Sequence, residues 1–208
     1  MEDKIVYSDI FRTAWKALMS QFWLLAGLFI GFTIIYSLLL IFAVPSKGTP
    51  ISISGIIVSV LCVLLAYLFQ LGYLRNCFQT LDGEEPQFSA YGQVSGKLFS
   101  FLAAHIIFVV ITAIGTVLLI APGIYLALRL QFFFASMVDE NTGIVDSFKR
   151  SWKITKGYSL RLLILALIMA LASFIGQIAL FAGIFVAIPL ILLMYGCAFR
   201  RLSSPSAT

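Results

Sequence analysis

Few side chains in this sequence have the type and setting to do chemistry. His105 is the single histidine, Arg129 is the one charged residue lodged inside an apolar run, and Gln131 lies just beyond it. A charge among membrane-length apolar residues is expensive to bury and marks an ion, lipid or substrate contact by default. Two environments fit Arg129. One is an anion or lipid phosphate in a cavity; the other is a snorkelling guanidinium that, helped by Gln131, satisfies helix-end carbonyls. A proton relay through His105 needs an acid at its own depth, yet all nine Asp and Glu residues fall outside the long apolar runs. His105 is therefore expected to make a hydrogen bond within a helical bundle, and Gln70 and Gln177 to act as interhelical glue.

The remaining reactive types form no constellation. Asp82, Glu84 and Glu85, and the pair Asp139 and Glu140, have no His or Cys at ligand spacing and read as solvated loops. Cys62, Cys77 and Cys197 carry neither a disulfide framework nor metal-ligand spacing, so free thiols are expected. P-loop, GxSxG, HExxH and CxxC patterns are missing from the sequence. The expectation is no enzyme, no catalytic residue, no metal and no cofactor.

The elements that must position these residues follow from composition. The chain is 61% hydrophobic and 11% charged, against about 25% charged residues in soluble domains. Phe22 to Val44, Ile51 to Leu74 and Leu98 to Ile120 contain no Asp, Glu, Lys or Arg. About 20 helical residues cross a hydrocarbon core of about 30 Å, and lipid leaves helices as the plausible spanning form. Ile124 to Val138 is shorter and holds Arg129, while Leu162 to Phe199 is too long for one helix and divides near Ala182 and Gly183. This predicts an all-α integral membrane protein with six transmembrane helices as three hairpins, forming one membrane domain over residues 1–208. Arg129 then lies roughly 9 Å from the outer turn, and His105 roughly 10 Å from the opposite side. Gly27 and Gly31 form a GxxxG pair suited to packing within the bundle or to dimerisation, and Pro189 is expected to kink the last helix.

Orientation follows from basic residues in short loops. Lys4, Arg12 and Lys16 precede the first span, Arg75 and Lys97 separate the second from the third, and Lys149, Arg150, Lys153, Lys156 and Arg161 separate the fourth from the fifth. Arg200 and Arg201 follow the sixth, and only Lys47 falls in an opposite loop. Both termini are therefore expected in the cytoplasm, with short outer connections at 45–50, 121–123 and 182–183. The opening MEDK does not resemble a cleaved signal, so the first span is expected to stay in the mature protein.

Two octets recur in register: Asp9 to Lys16 reads DIFRTAWK and Asp146 to Lys153 reads DSFKRSWK. In a helix, Phe11, Ala14, Trp15 and Leu18 share one face against Asp9, Arg12, Lys16 and Ser20, and Phe148, Val145 and Trp152 mirror them against Asp146, Lys149 and Lys153. Ser8, and Asn141 or Thr142, are placed to cap these helices, and Asp146 precedes Arg150 at pairing distance. Aromatic and basic faces beside a span define helices that lie in the headgroup plane. A weaker third version, PQFSAYGQVSGKLF, runs from Pro86 to Phe99. The plan is three parallel repeats, over 8–74, 87–138 and 142–200, each opening with a cytoplasmic interfacial amphipathic helix.

The segment APGIYLALRLQFFFASMVDENTGIVDSFKRSWKITKG, residues 121–157, resembles a group of prokaryotic multi-pass membrane families. The group includes the membrane domain found beside glycerophosphodiester phosphodiesterases, the YciC-like inner-membrane proteins and a related domain of unknown function. Pro122, Gly123, Ile124, Tyr125, Val138, Asp139, Glu140, Gly143, Ser151, Trp152, Thr155 and Gly157 carry the likeness, while Asp146, Ser147 and Phe148 depart from it. The resemblance implies a fold and no activity.

These readings converge on a multi-pass protein of the inner (cytoplasmic) membrane acting as a non-enzymatic scaffold or accessory module. Its expected partners are membrane lipids with anionic headgroups, and a partner membrane protein or further copies of itself. The alternative is a small transporter or channel that moves an anionic solute or lipid through a pseudo-symmetric interior. Nucleic acid is not an expected partner, because the basic residues stay beside the apolar blocks.

Overall fold

The computed structural model describes residues 4–43, 53–178 and 183–204. Among them run α1 (Tyr7–Ser20), α2 (Phe22–Ala43), α3 (Ile53–Leu81), α4 (Ser89–Ser95), α5 (Leu98–Leu118), α6 (Ile120–Leu130), α7 (Phe133–Asp139), α8 (Ile144–Ile154), α9 (Ser159–Ile178) and α10 (Ile184–Ser203), with no strand among the described residues. Six stretches are long and apolar enough to cross a membrane: Phe22–Phe42, Ile53–Leu81, Leu98–Leu118, Ile120–Asp139, Ser159–Ile178 and Ile184–Ser203. The expected loop at 45–50, with Lys47, lies outside the described residues, as does Ala182 of the last turn.

Packing is uneven along the bundle. At the end that carries α1, α7 and α8, the core is closed: Tyr73 and Phe78 of α3, Phe132 and Phe133 beside α7, and Phe199 of α10 are all buried. The α1 helix adds Ile10, Ala14 and Leu18 to this core, packed on α10. Toward the other end the helices α2, α5 and α9 expose Ile34, Leu38, Ile114, Leu171 and Phe174. In lipid that exposure carries no penalty, since acyl tails are as apolar as leucine.

The α2 helix packs against α3, α5 against α6 and α9 against α10. The α5 to α6 turn is a single extended residue, Leu119, rather than the expected loop at 121–123. Pro122 and Gly123 sit instead in the first turn of α6, where proline removes no helical hydrogen bond. Gly123 is needed there, because a Cβ would come within 2.7 Å of the Thr116 Cα. The α3 helix continues beyond Leu74 to Leu81. Asn76, Gln79 and Thr80 allow this by being buried in the closed end, where α10 and α7 meet α3. Pro189 lies inside α10, which runs through it to Ser203.

Both octets are helical; α1 buries Ala14 and Leu18 of its expected face together with Ile10, while α8 buries a different set. Phe11 and Trp15 stack on each other at 6.0 Å and remain half-exposed. In α8 the buried positions are Ser147, Ser151 and Ile154. Ser8 lies inside α1, which follows Val6, and Gly143 precedes α8, so none of Ser8, Asn141 and Thr142 caps a helix. The degenerate third segment forms the short α4 and runs into the first residues of α5.

Candidate functional site

The fourth span is broken between α6 and α7, and α8 supplies the wedge. Ser151 Oγ donates to the carbonyl oxygen of Arg129 at 2.9 Å and accepts from the backbone N–H of Phe132 at 3.1 Å. Thr155 Oγ1 stands 3.0 Å from the same Arg129 carbonyl and 2.7 Å from the Ser151 carbonyl, sharing one proton between them. Tyr195 of α10 donates to the carbonyl of Gln131 at 2.7 Å. A helix interrupted inside a membrane protein must re-satisfy its freed backbone groups from neighbours, and these three hydroxyls do so.

Arg129 closes α6 at the same place. Its side chain is 3% exposed, its guanidinium carbon lies 4.2 Å from the Trp152 ring centre and 5.8 Å from that of Tyr125, and its Nε has no hydrogen-bond partner. Trp152 and Tyr125 meet edge to face at 6.1 Å. No carboxylate pairs with Arg129 among the described residues, so ring faces supply its electrostatic partner, worth about 2 kcal/mol when desolvated. This is neither of the two expected environments. Because α6 starts at Ile120, Arg129 lies about 15 Å along the helix from the turn rather than 9 Å. It stands next to the closed end, where Phe132 stacks between Tyr195 and Phe199.

His105 and Gln131 do not join Arg129 in one site. His105 packs against Tyr67, Phe134 and Phe108, and its buried Nδ1 has no partner, so aromatic contact replaces the expected hydrogen bond. Gln131 contributes its backbone carbonyl. Gln70 is exposed, and Gln177 reaches only Ser173 in its own helix, so neither is interhelical glue among the described residues. Gly27 and Gly31 meet nothing within 4 Å; they line an apolar groove of about 530 Å³ with Trp23, Phe32, Phe69 and Tyr91.

Glu84 and Glu85 are exposed loop residues as expected, whereas Asp82, Asp139 and Glu140 are drawn into ion pairs. Arg200 donates to Asp139 at 2.9 and 3.2 Å and to both carboxylate oxygens of Asp82, one of them at 2.8 Å. Arg75 stands 3.9 Å from Asp139, and Arg201 stands 3.8 Å from Asp9. Arg150 makes a fork on Glu140, at 2.7 and 3.0 Å, instead of pairing with Asp146. Hydrogen bonds from Arg200 hold the Asp82 carboxyl below the usual range, and Glu140 raises the Arg150 guanidinium above its own. Arg12, Lys16, Lys149 and Lys153 remain exposed, while Phe148 is half-buried against Phe133 at 5.0 Å.

Sequence reasoning missed Ser151, Thr155 and Tyr195 as structural residues. The available signal was two hydroxyls one helical turn apart, next to Trp152, on a helix too short to span. Their partners are 22 and 64 residues away in sequence and carry no pattern of their own.

Among the described residues, five helices and the broken α6–α7 pair are long and apolar enough to cross a membrane, which defines an all-helical multi-pass membrane protein. The chain belongs to the family of the domain of unknown function DUF7847, whose family model matches residues 87–208, from α4 to the end. It is similar to the uncharacterized protein Rv2560 of Mycobacterium tuberculosis, at 29% identity over 133 residues that cover 64% of this chain and 40% of that protein. The uncharacterized protein Mb2590 of Mycobacterium bovis shows the same identity and coverage. The chain thus spans two fifths of the length of these curated relatives. No solved structure matches it.

Proposed function

We propose that this chain is a non-enzymatic scaffold or accessory module of the cytoplasmic membrane, built as three hairpins with both termini in the cytoplasm. Its closed, charged end faces the cytoplasm, and α1 and α8 lie against anionic headgroups there. The observation that carries this reading is the sorting of exposed side chains. Arg12, Lys16, Lys149 and Lys153 are exposed on helices that also expose Trp15 and Trp152, beside spans whose exposed residues, among those described, are all uncharged. Each such cation contributes about 1 kcal/mol near an anionic leaflet. A transport role calls for a hydrated cavity at Arg129, and a guanidinium packed on Trp152 favours the scaffold reading instead.

The test uses the full chain in vesicles of brominated phosphatidylglycerol or brominated phosphatidylcholine. Tryptophan quenching is expected to be stronger in the anionic lipid, and replacing Arg12, Lys16, Lys149 and Lys153 by Gln is expected to remove the difference. Equal quenching of the unmodified chain in both lipids, or an anion flux that Arg129→Gln abolishes, would overturn the reading.

A further inference from the structure

We propose that a polar pocket between α3, α4, α5 and α7 binds a phosphate group. Arg75 comes from α3, Gln93 from α4, Lys97 from the start of α5, and Asp139 and Asn141 from the end of α7 and just beyond it. The cavity measures about 150 Å³. At about 30 Å³ per water it holds about five waters, enough space for a tetrahedral anion.

The donors in this pocket are underused. Among the described residues no acceptor takes a hydrogen bond from Arg75, whose sole charged contact is Asp139 at 3.9 Å. Asp139 is already engaged twice by Arg200, at 2.9 and 3.2 Å. A guanidinium presents its N–H groups in a fork that matches phosphate oxygens. Lys97 Nζ is tethered to the side-chain and backbone oxygens of Asn141, which holds it at the pocket. Asn141 adopts a left-handed conformation, φ 58°, sparsely populated outside glycine and sustained by its surroundings. Lys97 also opens α5, whose first turn has no side-chain cap, so the positive end of that helix adds to the field.

Charge balance gives the same sign. Arg75, Lys97 and Arg200 face Asp82 and Asp139, which leaves one cation without a counterion. A phosphate supplies it. Two sources share this chemistry: the headgroup of an anionic lipid and a free phosphate-bearing solute. The lipid source rests on the proposed cytoplasmic, headgroup-facing placement of this end; binding of the phosphate group itself does not.

The test is native mass spectrometry of the full chain in detergent with phosphatidic acid or with diacylglycerol, which differ in the phosphate, together with thermal unfolding in inorganic phosphate. Phosphatidic acid is expected to be retained about tenfold more strongly than diacylglycerol, a difference of about 1.4 kcal/mol. Arg75→Gln is expected to remove that preference. So is Gln93→Glu, which places a carboxylate at the pocket from an exposed position whose side chain makes no hydrogen bond among the described residues, and which therefore spares the fold. Retention of phosphatidic acid without stabilisation by inorganic phosphate assigns the lipid source; stabilisation by inorganic phosphate that both variants lose assigns the free solute. Unchanged preference in both variants, or no response of the unmodified chain to either probe, overturns the proposal. If Lys149→Gln with Lys153→Gln removes the preference while the pocket variants keep it, the pocket falls and the headgroup-facing surface stands.

Discussion

The Ser151 hydroxyl donates to the Arg129 carbonyl at 2.9 Å, across 22 residues of sequence. It also accepts from Phe132, so one side chain joins both halves of the broken fourth span. Ser151→Ala removes the acceptor of the buried Phe132 N–H and leaves Thr155 as the remaining side-chain donor to the Arg129 carbonyl. The expected loss is about 1–3 kcal/mol, read as a lower unfolding temperature in detergent. Thr155→Ser, which keeps a hydroxyl near the same carbonyl, is expected to stay closer to the unmodified protein.

Arg129 and Trp152 form a pair whose coupling is separable from their individual packing. A double-mutant cycle with Arg129→Met and Trp152→Ala is expected to give a coupling of about 1–2 kcal/mol. Arg129→Met alone is expected to be mild, because a buried charge without an ionic partner is often replaceable by a hydrophobe of similar length. A coupling near zero would assign the contact to packing alone.

Glycines in this chain divide by what a methyl group would meet. Gly123→Ala forces Thr116 away, and Gly176→Ala presses on the Ala187 Cβ at 2.6 Å and the Gly183 carbonyl at 3.0 Å. Both are expected to lower the unfolding temperature. Gly27→Ala and Gly31→Ala meet nothing within 4 Å and are expected to leave stability unchanged or to raise it by up to about 1 kcal/mol through restriction of the unfolded chain.

Asp82 gives the closed end an acid limit. Its carboxyl is held below the usual range chiefly by hydrogen bonds from Arg200. A depressed folded value means that the stabilisation is full above the ordinary carboxylate value, about 3.9, and is lost as pH falls through the lowered one. The stability gap between the unmodified chain and Asp82→Asn is thus expected to be constant from pH 6 upward and to close only in strong acid. Thermal unfolding against pH measures it, and a gap that closes near neutral pH would point to another group.

Much of the architecture was legible because it is a property of the chain and its solvent. Blocks such as Phe22 to Val44 and Leu98 to Ile120 announce helices by length and lack of charge, since a hydrocarbon core leaves the backbone no other partner. The broken fourth span was only half legible. Arg129 flagged the place, but placing the helix start at Ile124 rather than Ile120 displaced its depth by about a turn. The acids misled for a related reason. Asp82 and Asp139 resemble loop residues in sequence, and their partner Arg200 is 118 and 61 positions away.

The sequence by itself therefore determined the class, the six membrane-crossing segments and the short helices α1 and α8 beside them. Each depends on residue type and local period alone. Only the tertiary structure decided which faces are buried, that Ser151 and Thr155 mend the break beside Arg129, that Trp152 rather than an acid meets the guanidinium, and that Arg75 and Lys97 share a pocket. Those outcomes depend on distances between residues far apart in the chain, which no local pattern encodes.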